Sequence, residues 1–110
     1  MAMDSRLQVP PEIKAGEVFA VRIVIRHPME TGLRFDNSGK VIPANTIRKF
    51  TAKYNGKDVF VATLGSGVGA NPYLQFFVRA PQSAQQGEIV CDWYDETGNT
   101  GLARATVNVV

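Results

Sequence analysis

The chain has 110 residues, of which 45% are hydrophobic and 20% charged. That is the composition of one ordinary folded domain, expected to span residues 1–110, and it excludes a disordered chain. A chain of this length hides roughly two-thirds of the area its unfolded form exposes, enough for one core without disulfide or metal staples. Its one cysteine, Cys91, cannot close an internal disulfide, and its one histidine, His27, cannot build a histidine cluster. Structural zinc, iron–sulfur and His-rich iron sites are thereby disfavoured, and no metal or other cofactor is expected. A Ser-His-Asp or Cys-His catalytic centre would have to use His27. No apolar run is long enough to span a bilayer. Met1 to Val9 carries one Arg and no hydrophobic stretch, so no secretory signal is expected there. The net charge is +2, but residues 1–55 hold nine basic and five acidic side chains, and residues 56–110 hold three and five. This polarity favours an acidic partner near the first half and is too weak for a dedicated nucleic-acid binder.

In chain order, Arg6 to Val9 reads as a short edge strand, ended by Pro10-Pro11 and Gly16. Glu17 to Arg26 (EVFAVRIVIR) alternates, with Phe19, Val21, Ile23 and Ile25 on one face. Its period of two and its β-branched side chains predict a long strand. Ile47 to Tyr54 alternates again, and Asn55-Gly56 joins it to Asp58–Leu64 as a hairpin, because both turn residues tolerate positive φ. Pro72–Ala80, Gly87–Tyr94 and Leu102–Val110 supply three more strands, separated by turn-rich stretches at Pro81–Gln86 and Asp95–Asn99. About seven strands with no helical segment predict an all-β fold, an immunoglobulin-like antiparallel β-sandwich. The Cys…Trp…Cys framework of antibody domains is missing, so the likeness is one of shape and fixes no function.

Two stretches break the pattern. His27 to Thr46 is about twenty residues long, and loops of that length in a compact domain are usually functional or hide a smaller element. Leu33–Phe35 and Lys40–Ile42 flank Asp36-Asn37-Ser38-Gly39, which predicts a hairpin excursion. Gly65-Ser66-Gly67-Val68-Gly69-Ala70-Asn71, before Pro72, is the second stretch. A strand follows it where a phosphate-binding loop would open a helix, so nucleotide binding is not expected. Its glycines serve either close approach of another backbone or flexible linkage.

The chemistry-bearing residues are few. His27 precedes Pro28 at a strand end; it is either a proton-transfer group or a side chain holding loop backbone, and the second reading is favoured. Cys91 shares a face with Ile89 and Trp93, which places the thiol in the core as a small apolar group. Asp95-Glu96 sits in a turn, where carboxylates cap backbone groups. Arg22, Arg26, Lys49 and Lys53 lie on outward faces of two strands that are read as sharing a sheet, with a solvated face the plain reading. Val18, Ala20 and Val24 lie among those outward positions, and Met29, Leu33 and Phe35 add apolar side chains in the excursion. Such a surface hints at a covering subunit.

At His27-Pro28-Met29-Glu30-Thr31-Gly32-Leu33-Arg34 the sequence resembles the SoxZ family, the Z subunit of the SoxYZ sulfur carrier of bacterial thiosulfate oxidation. The likeness continues through Gly39-Lys40-Val41-Ile42-Pro43, Ile47-Arg48-Lys49-Phe50, Tyr54-Asn55-Gly56-Lys57-Asp58-Val59-Phe60, Asn71-Pro72-Tyr73 and Trp93-Tyr94-Asp95. The glycine-rich Gly65–Ala70 stretch departs from the family's pattern. The resemblance implies an immunoglobulin-like, non-catalytic subunit in a heterodimer with a SoxY-like carrier. That partner holds sulfur intermediates on the cysteine of a glycine-rich arm, and other sulfur-oxidation enzymes act on the cargo. It also implies a periplasmic site of action, with export in company with the partner. No such arm follows Asn108-Val109-Val110, so this chain is not expected to carry the sulfur itself. The residues expected at the partner are His27, Met29, Glu30, Leu33, Arg34, Phe35, Gly69, Asn71 and Tyr73. The competing readings are a stand-alone binding or adhesion module and, less favoured, a small hydrolase or redox enzyme.

Overall fold

The computed structural model describes residues 4–110, so the Met1-Ala2-Met3 part of the stretch read for a secretory signal lies outside the described residues. Alternating apolar residues form seven strands: β1 (Ser5–Gln8), β2 (Val18–Ile25), β3 (Ile47–Tyr54), β4 (Lys57–Thr63), β5 (Tyr73–Arg79), β6 (Gln85–Asp95) and β7 (Thr100–Val109). They make two antiparallel sheets, ordered β1-β2-β5 and β4-β3-β6-β7, packed as a sandwich. No helix is present among the described residues, and the immunoglobulin-like expectation holds.

The inner faces are the ones that alternation selects. Phe19, Val21, Ile23 and Ile25 of β2 are buried, as are Phe50 and Ala52 of β3 and Ile89, Cys91 and Trp93 of β6. Aromatic rings tie the sheets together: Phe60 of β4 stacks on Phe76 of β5 at 4.8 Å between centroids, and Phe19 of β2 meets Tyr54 of β3 edge-on at 6.1 Å. The hairpin turn forms as expected, with Asn55 and Gly56 at φ 51° and 84°.

Pairing order corrects one reading. Arg22 lies on β2 and Arg26 just beyond it, while Lys49 and Lys53 lie on β3; β2 and β3 belong to different sheets, so these charges do not share one. Ile13 adds a pairing that has no periodic signal. It bridges Val109 in parallel, receiving the Val110 amide on its carbonyl at 2.8 Å and donating its own amide to Asn108 O at 3.0 Å.

The molecule is elongated. Its radius of gyration is 16.4 Å with extents of 58 × 19 × 19 Å, against about 13 Å for a compact chain of this length. Residues 33–41 are all exposed, and they form the excursion that leaves the sandwich.

Trp93 occupies its place because Gly101 stands opposite it across β6 and β7. A Cβ at Gly101 would lie far inside van der Waals contact with Trp93 Cε2 of the indole ring. Gly101→Ala should therefore destabilise the fold by about 2 kcal/mol or more, through overpacking of an unyielding ring, read as a lowered urea midpoint with unchanged slope.

Candidate partner-binding site

The excursion begins where β2 ends, and a buried knot fixes its base. His27 is 3% exposed, and its Nε2 lies 3.0 Å from Asp95 Oδ2 at the end of β6. The Met29 backbone amide donates to His27 Nδ1 at 2.9 Å. An amide can only donate, so Nδ1 is the bare nitrogen and Nε2 carries the proton. The ring is thus a neutral imidazole that donates to a carboxylate and accepts from its own loop.

Asp95 is fully employed. Its Oδ1 accepts the amides of Thr97 and Asn99 at 3.0 and 2.9 Å and the Thr97 hydroxyl at 3.1 Å; its Oδ2 accepts Asn99 Nδ2 at 3.1 Å as well as His27. Burial pushes this carboxyl up, but the hydrogen bonds from His27, Asn99 and Thr97 outweigh it and hold it well below the ordinary carboxylate range. The capping role read for Asp95 is present, and a tie to His27 is added to it.

Asn71 closes the other side. Its Oδ1 accepts the His27 amide at 3.0 Å, and its own amide donates to His27 O at 2.8 Å. Asn71 sits at φ 53°, a left-handed conformation that Asn tolerates better than most side chains. Met29 sits at φ 51°, which turns its side chain inward, where Sδ accepts the Ile47 amide at 3.3 Å. Glu96 braces the return of the loop, accepting the Thr46 amide at 3.1 Å and pairing with Arg48 at 3.1 Å.

Beyond this base the chain runs out and back as a narrow ribbon. Glu30 and Asn45 exchange backbone hydrogen bonds at 2.9 and 2.8 Å, and Phe35 bridges Val41. Asp36 Oδ1 accepts the Ser38 and Lys40 amides at 2.9 and 3.0 Å and so builds the tip turn, with Gly39 at φ 84°. The expected hairpin excursion exists, held by isolated bridges rather than by continuous strands. Phe35 and Val41 face each other across it, so their side chains share a face. Leu33 is 82% exposed and Phe35 65%. Glu30 and Arg34 pair with each other, with Arg34 Nε donating to Glu30 Oε2 at 3.1 Å.

The structure therefore sorts the expected partner residues. Glu30, Leu33, Arg34 and Phe35 lie on the ribbon, and Gly69 and Asn71 are exposed in the loop beside its base. A shallow cleft lined by Pro28, Met29, Glu30, Thr31, Arg34 and Ala70 joins the two segments. Tyr73 is exposed too, but on the outer face of β5 opposite Val24. His27 and Met29 need correcting as contact residues. Both are at most 4% exposed, so they position the ribbon and cannot offer side chains to another chain. Met29 is likewise not part of the uncovered apolar surface. Asp95 and Glu96 are the positioning residues that the list of expected partner residues lacks. A lone buried His asks for a partner, but nothing in local sequence points 68 residues ahead.

Val68 of the glycine-rich loop packs against the core, but a Cβ at Gly65, Gly67 or Gly69 would meet no atom within 4 Å. Close approach inside this chain does not explain those glycines. Cys91 is buried, and its thiol is pushed up to about 12 by burial and by the neighbouring Asp92 charge. Among the described residues no group of three or more His, Cys, Asp or Glu stands together as a metal ion requires.

With this geometry the comparisons can be read. The family model for the sulphur oxidation protein SoxZ matches residues 7–106. The chain belongs to the SoxZ family. Curated protein sequences give no match. Among solved structures, the fold is similar to a superoxide reductase (neelaredoxin) from Ignicoccus hospitalis, with TM-score 0.73 and 18% identity over 98% of this chain and 82% of that one. The sulfur carrier protein SoxY from Chlorobium limicola f thiosulfatophilum is similar with TM-score 0.64 and 11% identity, over 96% and 78%. A CARDB domain from Pyrococcus furiosus gives 0.61 and 14%, over 98% and 94%. Identities this low establish the shared sandwich alone. SoxZ membership makes this a sulfur-oxidation protein, and SoxY shares its architecture.

The knot supplies a test. The native Asp95 pKa lies below its unfolded value of about 3.9, so the stability it confers is complete above that pH and is lost as pH falls below it. Asp95→Asn should cost about 2 kcal/mol or more at pH 7. Urea titrations should show that gap narrowing as pH drops below about 4.

Proposed function

We propose that this chain is the non-catalytic subunit of a two-chain sulfur carrier, pairing with a SoxY-like subunit that holds sulfur intermediates on a cysteine arm. SoxZ membership over residues 7–106 supports the system. The observation that supports the role is a rigidly anchored ribbon carrying Leu33, Phe35 and Val41 into solvent. Ordering a ribbon costs conformational entropy, and a monomer gains nothing from displaying those side chains at its end. Exposed apolar side chains on a fixed mount match the anchors of protein interfaces.

The side chains with reactive chemistry support the same reading. His27 Nδ1 and Nε2 are both committed, Asp95 is saturated, and the Cys91 thiol is buried and protonated. A nucleophile must be reachable and activated. Chemistry on sulfur therefore falls to the partner and its enzymes. The proposal includes a periplasmic site of action, reached by export together with the carrier subunit.

Leu33→Asp combined with Phe35→Asp should leave the thermal midpoint unchanged, because both side chains are exposed. The pair should weaken binding to the co-expressed SoxY-like subunit by about 30-fold or more, as loss of a central anchor does. Calorimetric titration reads this. Unaltered affinity removes the ribbon from the interface, and a chain that stays alone when co-expressed defeats the heterodimer.

A further inference from the structure

The two sheets leave four edges, and those of β1 and β4 are managed. β1 has four residues. Beside β7, Ile13 adds parallel hydrogen bonds at the C-terminal end only, and the outward backbone from Thr100 to Thr106 stays open. β4 is irregular, with a register shift against β3 and the charged pair Lys57 and Asp58 at its start. β5 has no such device. It runs seven residues in unbroken register with β2 and has no other neighbour.

Its hydrogen bonding can be assigned residue by residue. Ile25 N donates to Pro72 O at 3.0 Å at one end of the β2–β5 ladder, and Ala80 N donates to Glu17 O at 2.8 Å at the other. Antiparallel pairing alternates, so Leu74, Phe76 and Val78 also turn their backbone groups toward β2. Tyr73, Gln75, Phe77 and Arg79 turn their N–H and C=O groups away from the sheet. None of these outward groups has a hydrogen-bond partner among the described residues. The Arg79 side chain does not guard the edge, because its guanidinium is turned back to donate to Gly16 O at 2.8 Å. An unprotected, straight, partly apolar edge is a template for another strand.

The adjoining face specifies the occupant. The outward residues of β1, β2 and β5 are Arg6 and Gln8, then Val18, Ala20, Arg22 and Val24, then Tyr73, Gln75, Phe77 and Arg79. Apolar, amide and basic side chains mix there and none of these residues is acidic, while Asp4 stands against Arg26 at the end of the face. Phe77 is 65% exposed. A second copy of this chain would bring the same arginines alongside, whereas a strand with apolar and acidic residues would complement them. The edge is also continuous with the ribbon: β5 starts two residues after Asn71, whose backbone and side chain clamp His27 at the ribbon base.

We infer that the free edge of β5 receives a strand from the SoxY-like subunit, extending the β1-β2-β5 sheet across the heterodimer. This rests on the heterodimer reading above and names where the partner's backbone docks. Backbone pairing supplies affinity, and Tyr73, Phe77 and Arg22 on the adjoining face select an apolar and acidic strand.

Amide hydrogen exchange by NMR on the co-expressed full-length complex tests it. In the isolated chain the amides of Tyr73, Gln75, Phe77 and Arg79 should exchange fast while those of Leu74, Phe76 and Val78 are protected; in the complex all seven should be protected. Gln75→Pro gives the second reading. Its amide faces solvent, so proline is tolerated in the free chain, but affinity for the partner should fall about tenfold or more. Val61→Pro on the β4 edge should leave affinity unchanged. A complex that forms while the four outward amides keep exchanging fast overturns the strand addition and leaves the heterodimer standing. No complex at all overturns both. Protection of the same amides in the concentrated chain alone assigns the edge to a second copy and overturns the partner.

Discussion

The hydrogen bond from His27 Nε2 to Asp95 Oδ2 joins segments 68 residues apart at 3.0 Å, and the geometry outside the sandwich depends on it. Burying a carboxylate is expensive unless its lone pairs are satisfied. Here both oxygens are met by donors from the β6–β7 turn and by the imidazole. The imidazole in turn is held in one tautomer by the Met29 amide. Such a closed circuit adds little net stability over an apolar filling of the same shape. What it adds is direction: a methyl or a phenyl ring would fill the space, but neither would fix where Met29 N and the ribbon behind it point.

That distinction explains the division of labour in the excursion. Met29 turns inward, with its sulfur against the Ile47 amide, and Glu30 pairs with Asn45. Four residues after Met29 the side chains are in solvent. The inner residues set angle and reach, and the outer ones offer contact. A soft loop carrying Leu33 and Phe35 would pay the ordering cost at every encounter with a partner. A braced ribbon has met it at folding.

Strand existence was legible because burial on one face imposes period two. Val18–Ile25 alternates without exception on its inner positions, Ile47–Tyr54 does so from Phe50 onward after a register shift between Ile47 and Lys49, and Asn55-Gly56 announces its own turn. Pairing order was not legible, because alternation says which residues face the core and not which strand lies alongside. Hence Arg22 and Lys49 were read together and stand on different sheets. At the site, Asn71 at positive φ fits its residue type, whereas Met29 at φ 51° does not. Nothing local marks a methionine for the left-handed region. It is held there by the His27 contact and by the Ile47 amide, 18 residues away, which is in reach only when the sandwich has closed. A side chain flanked by Pro28 and Glu30 therefore read as exposed and is buried.

The same closure bears on where the chemistry of sulfur oxidation can reside. Three buried groups of this chain carry reactive chemistry: the His27 imidazole, the Cys91 thiol and the Asp95 carboxylate. The imidazole has no free nitrogen, the carboxylate no free lone pair toward solvent, and Asp92 and burial keep the thiol protonated. Exposing any of them would require taking apart the knot or the core, which also sets the ribbon. Accessible features include apolar side chain on the ribbon, unpaired backbone along β5 and the glycines of the Gly65–Gly69 loop. Apolar side chain, open backbone and small residues all suit contact between chains, which is the role proposed for this subunit.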